Sequence, residues 1–101
     1  MLDAIDSIKR FTKGISHKEF LHDEILQLAL IKNLEIIGEA ANNTTEDLRI
    51  KFSDINWKLI IDLRHILVHN YYRVELDVIW ETVETDIPKL KGQLKKVVTD
   101  R

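Results

Sequence analysis

Residues 17–42, HKEFLHDEILQLALIKNLEIIGEAAN, are the most apolar part of the chain. Leu26, Leu28, Ala29, Leu30, Ile31, Leu34, Ile36 and Ile37 cover more than one face of a helix, whereas a surface helix needs a single apolar stripe. A helix apolar on two faces must bury both. The pattern therefore predicts one helix over 17–42 and, in a chain this small, a homodimer formed through it. Gly38, Ala40 and Ala41 are small enough to let a neighbouring helix approach closely. Asn42 and Asn43 end the segment. On its N-terminal side Ser16 reads as an N-cap, with Glu19 completing a capping box.

Working outward, Leu2, Ile5, Ile8 and Phe11 recur at spacings of three and predict a helix over 2–13, which Gly14 is placed to end. Thr44 with Asp47 suggests a short helical turn over 45–51, followed by a loop at 52–55. Asn56 is an N-cap for a helix from Trp57 to about Asn70, with Trp57, Ile60, Leu63 and Leu67 as its core face. A last helix is predicted from about Glu75 to Val98. Its start is acidic (Glu75, Asp77, Glu81) and its end basic (Lys91, Lys95, Lys96), which suits the helix dipole. Pro88 should kink it near Thr85. With only three glycines and one proline, nothing else interrupts the helices. The reading is all-α: an up-and-down four-helix bundle with a short extra helical turn, one domain over residues 1–101, dimeric.

Composition narrows the function. The 101 residues are 45% hydrophobic and 32% charged, an ordinary soluble mix that fits one domain and argues against disorder. With no cysteine there is no disulfide framework, no thiol nucleophile and no thiolate metal site. No apolar run reaches membrane-span length and no signal peptide opens the chain, so a cytoplasmic protein without membrane contact is expected. A net charge of −2 argues against a sequence-independent DNA coater, and no DNA partner is expected. It leaves room for an RNA enzyme, which needs only a local basic site. Nothing resembles a P-loop or a dinucleotide fingerprint, and no cofactor is expected.

The distinctive polar chemistry lies in residues 64–73, RHILVHNYYR. A histidine takes or gives a proton near neutrality. An arginine holds a phosphate through paired donors and stabilises charge building on it. RNA carries its own nucleophile, the 2′-hydroxyl. Arg64 and His69 would then suffice for cleavage without a metal, His69 as general acid or base and Arg64 on the pentacoordinate phosphate. Five residues place the two about 140° apart around an ideal helix. Either the helix ends or tightens before His69, or a second subunit completes the site.

Other readings of the same residues stand beside this one. His65 and His69, four apart, could hold a metal if Glu75 or Asp77 supplied further ligands. Arg64 and His69 could instead cap the helix end and pair with Asp62 or Glu75. Tyr71 and Tyr72 could simply pack, and Trp57 and Trp80 read as core. His17 and His22 read as solvated, and Glu35 and Glu39 as the polar edge of an apolar helix.

Arg64, four residues, His69, one residue and Tyr71 resemble the RX4HXY motif of HepT toxins, members of the HEPN superfamily (higher eukaryotes and prokaryotes nucleotide-binding). The resemblance extends to Lys32–Ala40, Ile55–Trp57, Val78–Val83 and Asp86–Pro88, nearly the whole chain. It implies a four- or five-helix bundle, a homodimer and a metal-independent endoribonuclease. It also implies a partner, a minimal nucleotidyltransferase antitoxin that transfers AMP to the motif tyrosine and silences the toxin. Carried over by position, Arg64 and His69 become the catalytic pair and Tyr71 the AMP acceptor. His65, Asn70 and Tyr71 become supporting or RNA-contacting groups. Asn70 stands where many relatives have glycine; asparagine still tolerates a left-handed turn. The competing reading is a non-catalytic dimeric helical module that binds nucleotide or a nucleotidyltransferase.

Overall fold

The helix α3, Glu24–Asn42, lies at the centre of the structure, a computed structural model that describes the backbone of residues 1–70 and 75–99 and the side chains of 1–67 and 75–97. Leu26, Leu30, Leu34, Ile37 and Ala41 recur every three or four residues and are buried. On one side α1, Leu2–Thr12, packs against α3 through Ala4, Ile5 and Ile8. On another lies α5, Trp57–Asn70. The two-faced apolar pattern of α3 is thus largely satisfied inside the chain. What remains exposed on it is Ile25, Leu28 and Ile36. The fold is all-α, with no strand among the described residues.

The helix predicted over 17–42 is two helices. After α1 the chain turns at Gly14, whose φ of +74° favours a residue without a Cβ. It then enters α2, His17–Leu21. The capping box forms as expected: the Glu19 amide donates to Ser16 Oγ (3.1 Å) and the Ser16 amide to Glu19 Oε1 (3.4 Å). The helix breaks at His22 because Asp23 caps a new one, its carboxylate accepting from the Leu26 amide at 3.0 Å. Gln27 then closes the end of α2, donating to the carbonyls of Phe20 (3.0 Å) and Leu21 (3.3 Å). The break lets Phe20 reach full burial against Trp80, ring centroids 5.0 Å apart.

The short α4, Glu46–Lys51, is capped by Thr45, not Thr44. Thr44 is used otherwise: its hydroxyl donates to the Ala41 carbonyl (2.6 Å) and accepts from Arg49 Nε (2.8 Å). Asn56 caps α5 as predicted, accepting from the Leu59 amide at 3.1 Å. Trp57 and Leu67 are buried, and Ile60 and Leu63 pack partly buried beside them. The Trp57 indole N–H is satisfied by the Phe52 carbonyl at 3.1 Å.

The last predicted helix divides into α6, Leu76–Glu81, a π-helical turn over Thr82–Asp86, and α7, Ile87–Thr99. Pro88 has no N–H for the Glu84 carbonyl. The chain widens by one residue there, and the Ile87 amide bonds back to Thr82 O. The expected kink at Thr85 falls inside this turn. Val83, Ile87, Leu90, Leu94 and Val97 form the buried stripe of this arm. His17 is not merely solvated: it bonds Asp77 Oδ1 at 2.8 Å and stacks on Trp80, joining α2 to α6. No described helix is long and apolar enough to cross a membrane.

Lys91 Nζ meets Asp6 Oδ1 at 3.0 Å and ties α7 to α1. The hydrogen bond and charge of Lys91 hold the Asp6 carboxyl below its ordinary value. A depressed folded value means the contribution is present above the ordinary carboxylate range and lost as pH falls through the lowered one. Asp6→Asn is therefore expected to lower Tm slightly at pH 7 and by progressively less as the pH falls through the acid range, which paired thermal melts would show.

Candidate active site

Arg64 stands on α5 where that helix crosses Gly38 of α3. The crossing is close: a methyl group at position 38 would overlap Arg64 Cβ outright and come within 2.7 Å of its Cγ and 3.1 Å of its Cα. Gly38 thus lets α5 lie close to α3 at this point, with the Arg64 stem directly against it. Arg64 Nε is buried there, with no hydrogen-bond partner among the described residues. Farther out, Arg64 Nη2 pairs with Glu39 Oε2. The pair sits at the surface, with side chains 28% and 48% exposed, and Arg64 lines a groove of about 460 Å³ shared with Lys32, Glu35, Glu39 and Asn43. Of the alternative partners, Asp62 does not pair with Arg64. Two residues on a helix point about 160° apart, and Asp62 lies instead 4.0 Å from Lys58 on its own face.

His65 is exposed on the next position of α5. His69 and Asn70 are the last residues of α5, and their side chains lie outside the described residues, as do Tyr71 and Tyr72 entirely. The backbone answers one question nonetheless. α5 continues as α-helix through Asn70, so it neither ends nor tightens before His69. The positions of Arg64 and His69 stay about 140° apart. An end or tightening of the helix before His69 is therefore not what brings the two positions together.

A second, more apolar groove of about 610 Å³ separates α5 from the α6–α7 arm, with Leu34 and Ile37 of α3 among its lining. Leu59, Ile66 and Val78 stand along it 45–50% exposed. Among the described residues no three histidine or acidic side chains converge as metal ligands.

Sequence reasoning missed Gly38 and Glu39 as the partners of Arg64. A glycine inside an apolar helix does signal close approach. Which residue approaches it is decided by tertiary packing.

The family described as Ribonuclease HepT-like matches residues 1–97. Among curated proteins, the "Probable ribonuclease HepT" of Thermococcus cleftensis is 41% identical over 95 residues, 94% of this chain and 86% of that one. A "Putative RNase" of Methanocaldococcus jannaschii is 36% identical over 97 residues, 96% of this chain and 89% of that one. A "Putative RNase" of Caldanaerobacter subterraneus is 42% identical over 86 residues, 85% and 77% respectively. No solved structure matches the chain significantly.

Proposed function

The chain belongs to the Ribonuclease HepT-like family, and from that premise we propose that it is a toxin-type endoribonuclease acting on RNA without a metal, as one domain over 1–101. The observation that carries this reading is the family match across the whole motif region, together with Arg64 held at the rim of a groove open to solvent. In this reaction the 2′-oxygen attacks the adjacent phosphorus while the bond to the 5′-oxygen breaks. His69 takes the 2′-hydroxyl proton or returns one to the departing 5′-oxygen. Arg64 stabilises the charge on the pentacoordinate phosphorus. His65 and Asn70 support RNA beside them.

The active form is a homodimer. Its support is the angle between Arg64 and His69 on an unbroken α5, which a second copy would resolve. The apolar groove beside α5 is surface available for that contact. Tyr71 is the acceptor for AMP from a minimal nucleotidyltransferase antitoxin. A phosphodiester and a purine two residues from His69 would repel and obstruct incoming RNA.

The test is incubation of the purified protein with total RNA in EDTA, with intact masses recorded before and after exposure to the partner enzyme. Cleavage in EDTA, extinguished as an AMP-sized mass appears, is the expected result, and Tyr71→Phe should cleave and gain no mass. An unmodified protein that leaves RNA intact would favour the non-catalytic binding module.

A further inference from the structure

We infer that Glu39 is the positioning residue for Arg64, directing its guanidinium toward the RNA phosphate; this rests on the ribonuclease reading above. Two adjacent residues of α3 act on one side chain of α5. Gly38 sets how closely the Arg64 stem lies against α3. Glu39 takes Nη2, and so sets the direction of the planar head. Among the described residues the buried Arg64 Nε has no hydrogen-bond partner, so none of them competes with Glu39 to orient that head. A guanidinium has five donors in a fixed fork. With the Nη2 edge held by a carboxylate, the donors left over point in one direction instead of many.

The exposure of the pair separates this role from a structural one. Glu39 is 48% exposed and Arg64 28%, so the pair lies at the mouth of a groove and not inside the core. Exposed ion pairs contribute little to folding. Removing Glu39 should therefore leave the bundle intact while freeing the arginine head. The charge effect runs the other way from the positioning effect. Glu39 repels RNA phosphate, so its loss should hold or lower KM even as kcat falls.

The test compares Glu39→Ala, Glu39→Gln and Arg64→Ala as full-length proteins under one RNA cleavage assay. For Glu39→Ala we expect kcat to fall roughly ten- to a hundredfold, the scale of misplacing a reacting group, with KM unchanged or lower and Tm little altered. Glu39→Gln, whose amide oxygen still accepts from Nη2, should recover most of kcat. Wild-type kcat in Glu39→Ala with cleavage lost in Arg64→Ala would overturn the role of Glu39 alone. Full cleavage in Arg64→Ala would overturn it together with the ribonuclease site. A readout independent of catalysis decides the matter where no RNA is cut. In nitrogen-labelled protein the two terminal nitrogens of Arg64 should give separate signals that merge in Glu39→Ala, and unchanged signals would overturn the proposal.

Discussion

Replacing His69 by alanine is expected to lower RNA cleavage by about 10²–10⁴-fold, the usual contribution of a positioned general acid or base, while the bundle stays folded. His69 lies in the last turn of α5. Alanine is the strongest helix former, so that turn should persist. Arg64→Ala should cost about 10²–10³-fold, the scale of removing one preorganised charge stabiliser. Because both groups serve one transition state, the double variant should fall well short of the product of the two. Gel assays on a defined RNA, beside circular dichroism melts, would measure all three. Mixing the single variants asks where the two halves of the site come from. If Arg64 of one copy works with His69 of the other, a heterodimer holds one intact site of two. An equal mixture with free exchange should then recover about one quarter of wild-type activity, since half of its dimers are mixed in a symmetric pair. No recovery, with exchange demonstrated, would place both residues of each site on one copy and remove the angular argument for a shared site.

What could be read from the sequence was the helical content and the local punctuation. The Ser16–Glu19 box, Gly14, Asn56 and Pro88 all act where their chemistry says they should, because caps and breakers depend on neighbours within a turn or so. Errors came from equal local signals that tertiary packing decided. Asp23 could be an ordinary helical residue or an N-cap; the burial of Phe20 against Trp80 makes it a cap. Thr44 and Thr45 are both able to cap α4, and Thr44 is drawn away by Arg49 and the end of α3. The two-faced apolar pattern of α3 was read as a dimer signal, though most of that surface is covered by α1 and α5 of the same chain. Of the candidate site, the sequence placed Arg64, His65, His69 and Asn70 on one helix, and α5 does run to Asn70. The partners of Arg64 on α3 were not legible, because Glu39 looks like any carboxylate on a polar edge until α5 is laid across it. His17 shows the same limit from the other side, its partner Asp77 lying sixty residues away.

Gly38→Ala is expected to damage both the fold and cleavage, unlike the same methyl added at Gly92. The new Cβ would overlap Arg64 Cβ and approach its Cγ and Cα, atoms that cannot swing aside because they belong to the base of the side chain and the backbone. α5 must therefore move. Overpacking of this kind costs about 1–3 kcal/mol and sometimes more, partly offset by the gain of roughly 1 kcal/mol for alanine over glycine in a helix. Each net kcal/mol should lower Tm by about 4–8 °C in a domain of this size. Gly92→Ala is the internal control. It adds the same methyl within α7, where nothing lies within 4 Å, so only the helix-propensity gain applies and Tm should rise. Cleavage should separate the two further. Gly92→Ala should cleave like wild type, whereas Gly38→Ala should lose activity well below its own Tm, because the residue pushed outward is Arg64 itself. If Gly38→Ala kept both its Tm and its cleavage rate, α3 and α5 would have slack where Arg64 meets Gly38, and the account of how Arg64 is set in place would be wrong at its base.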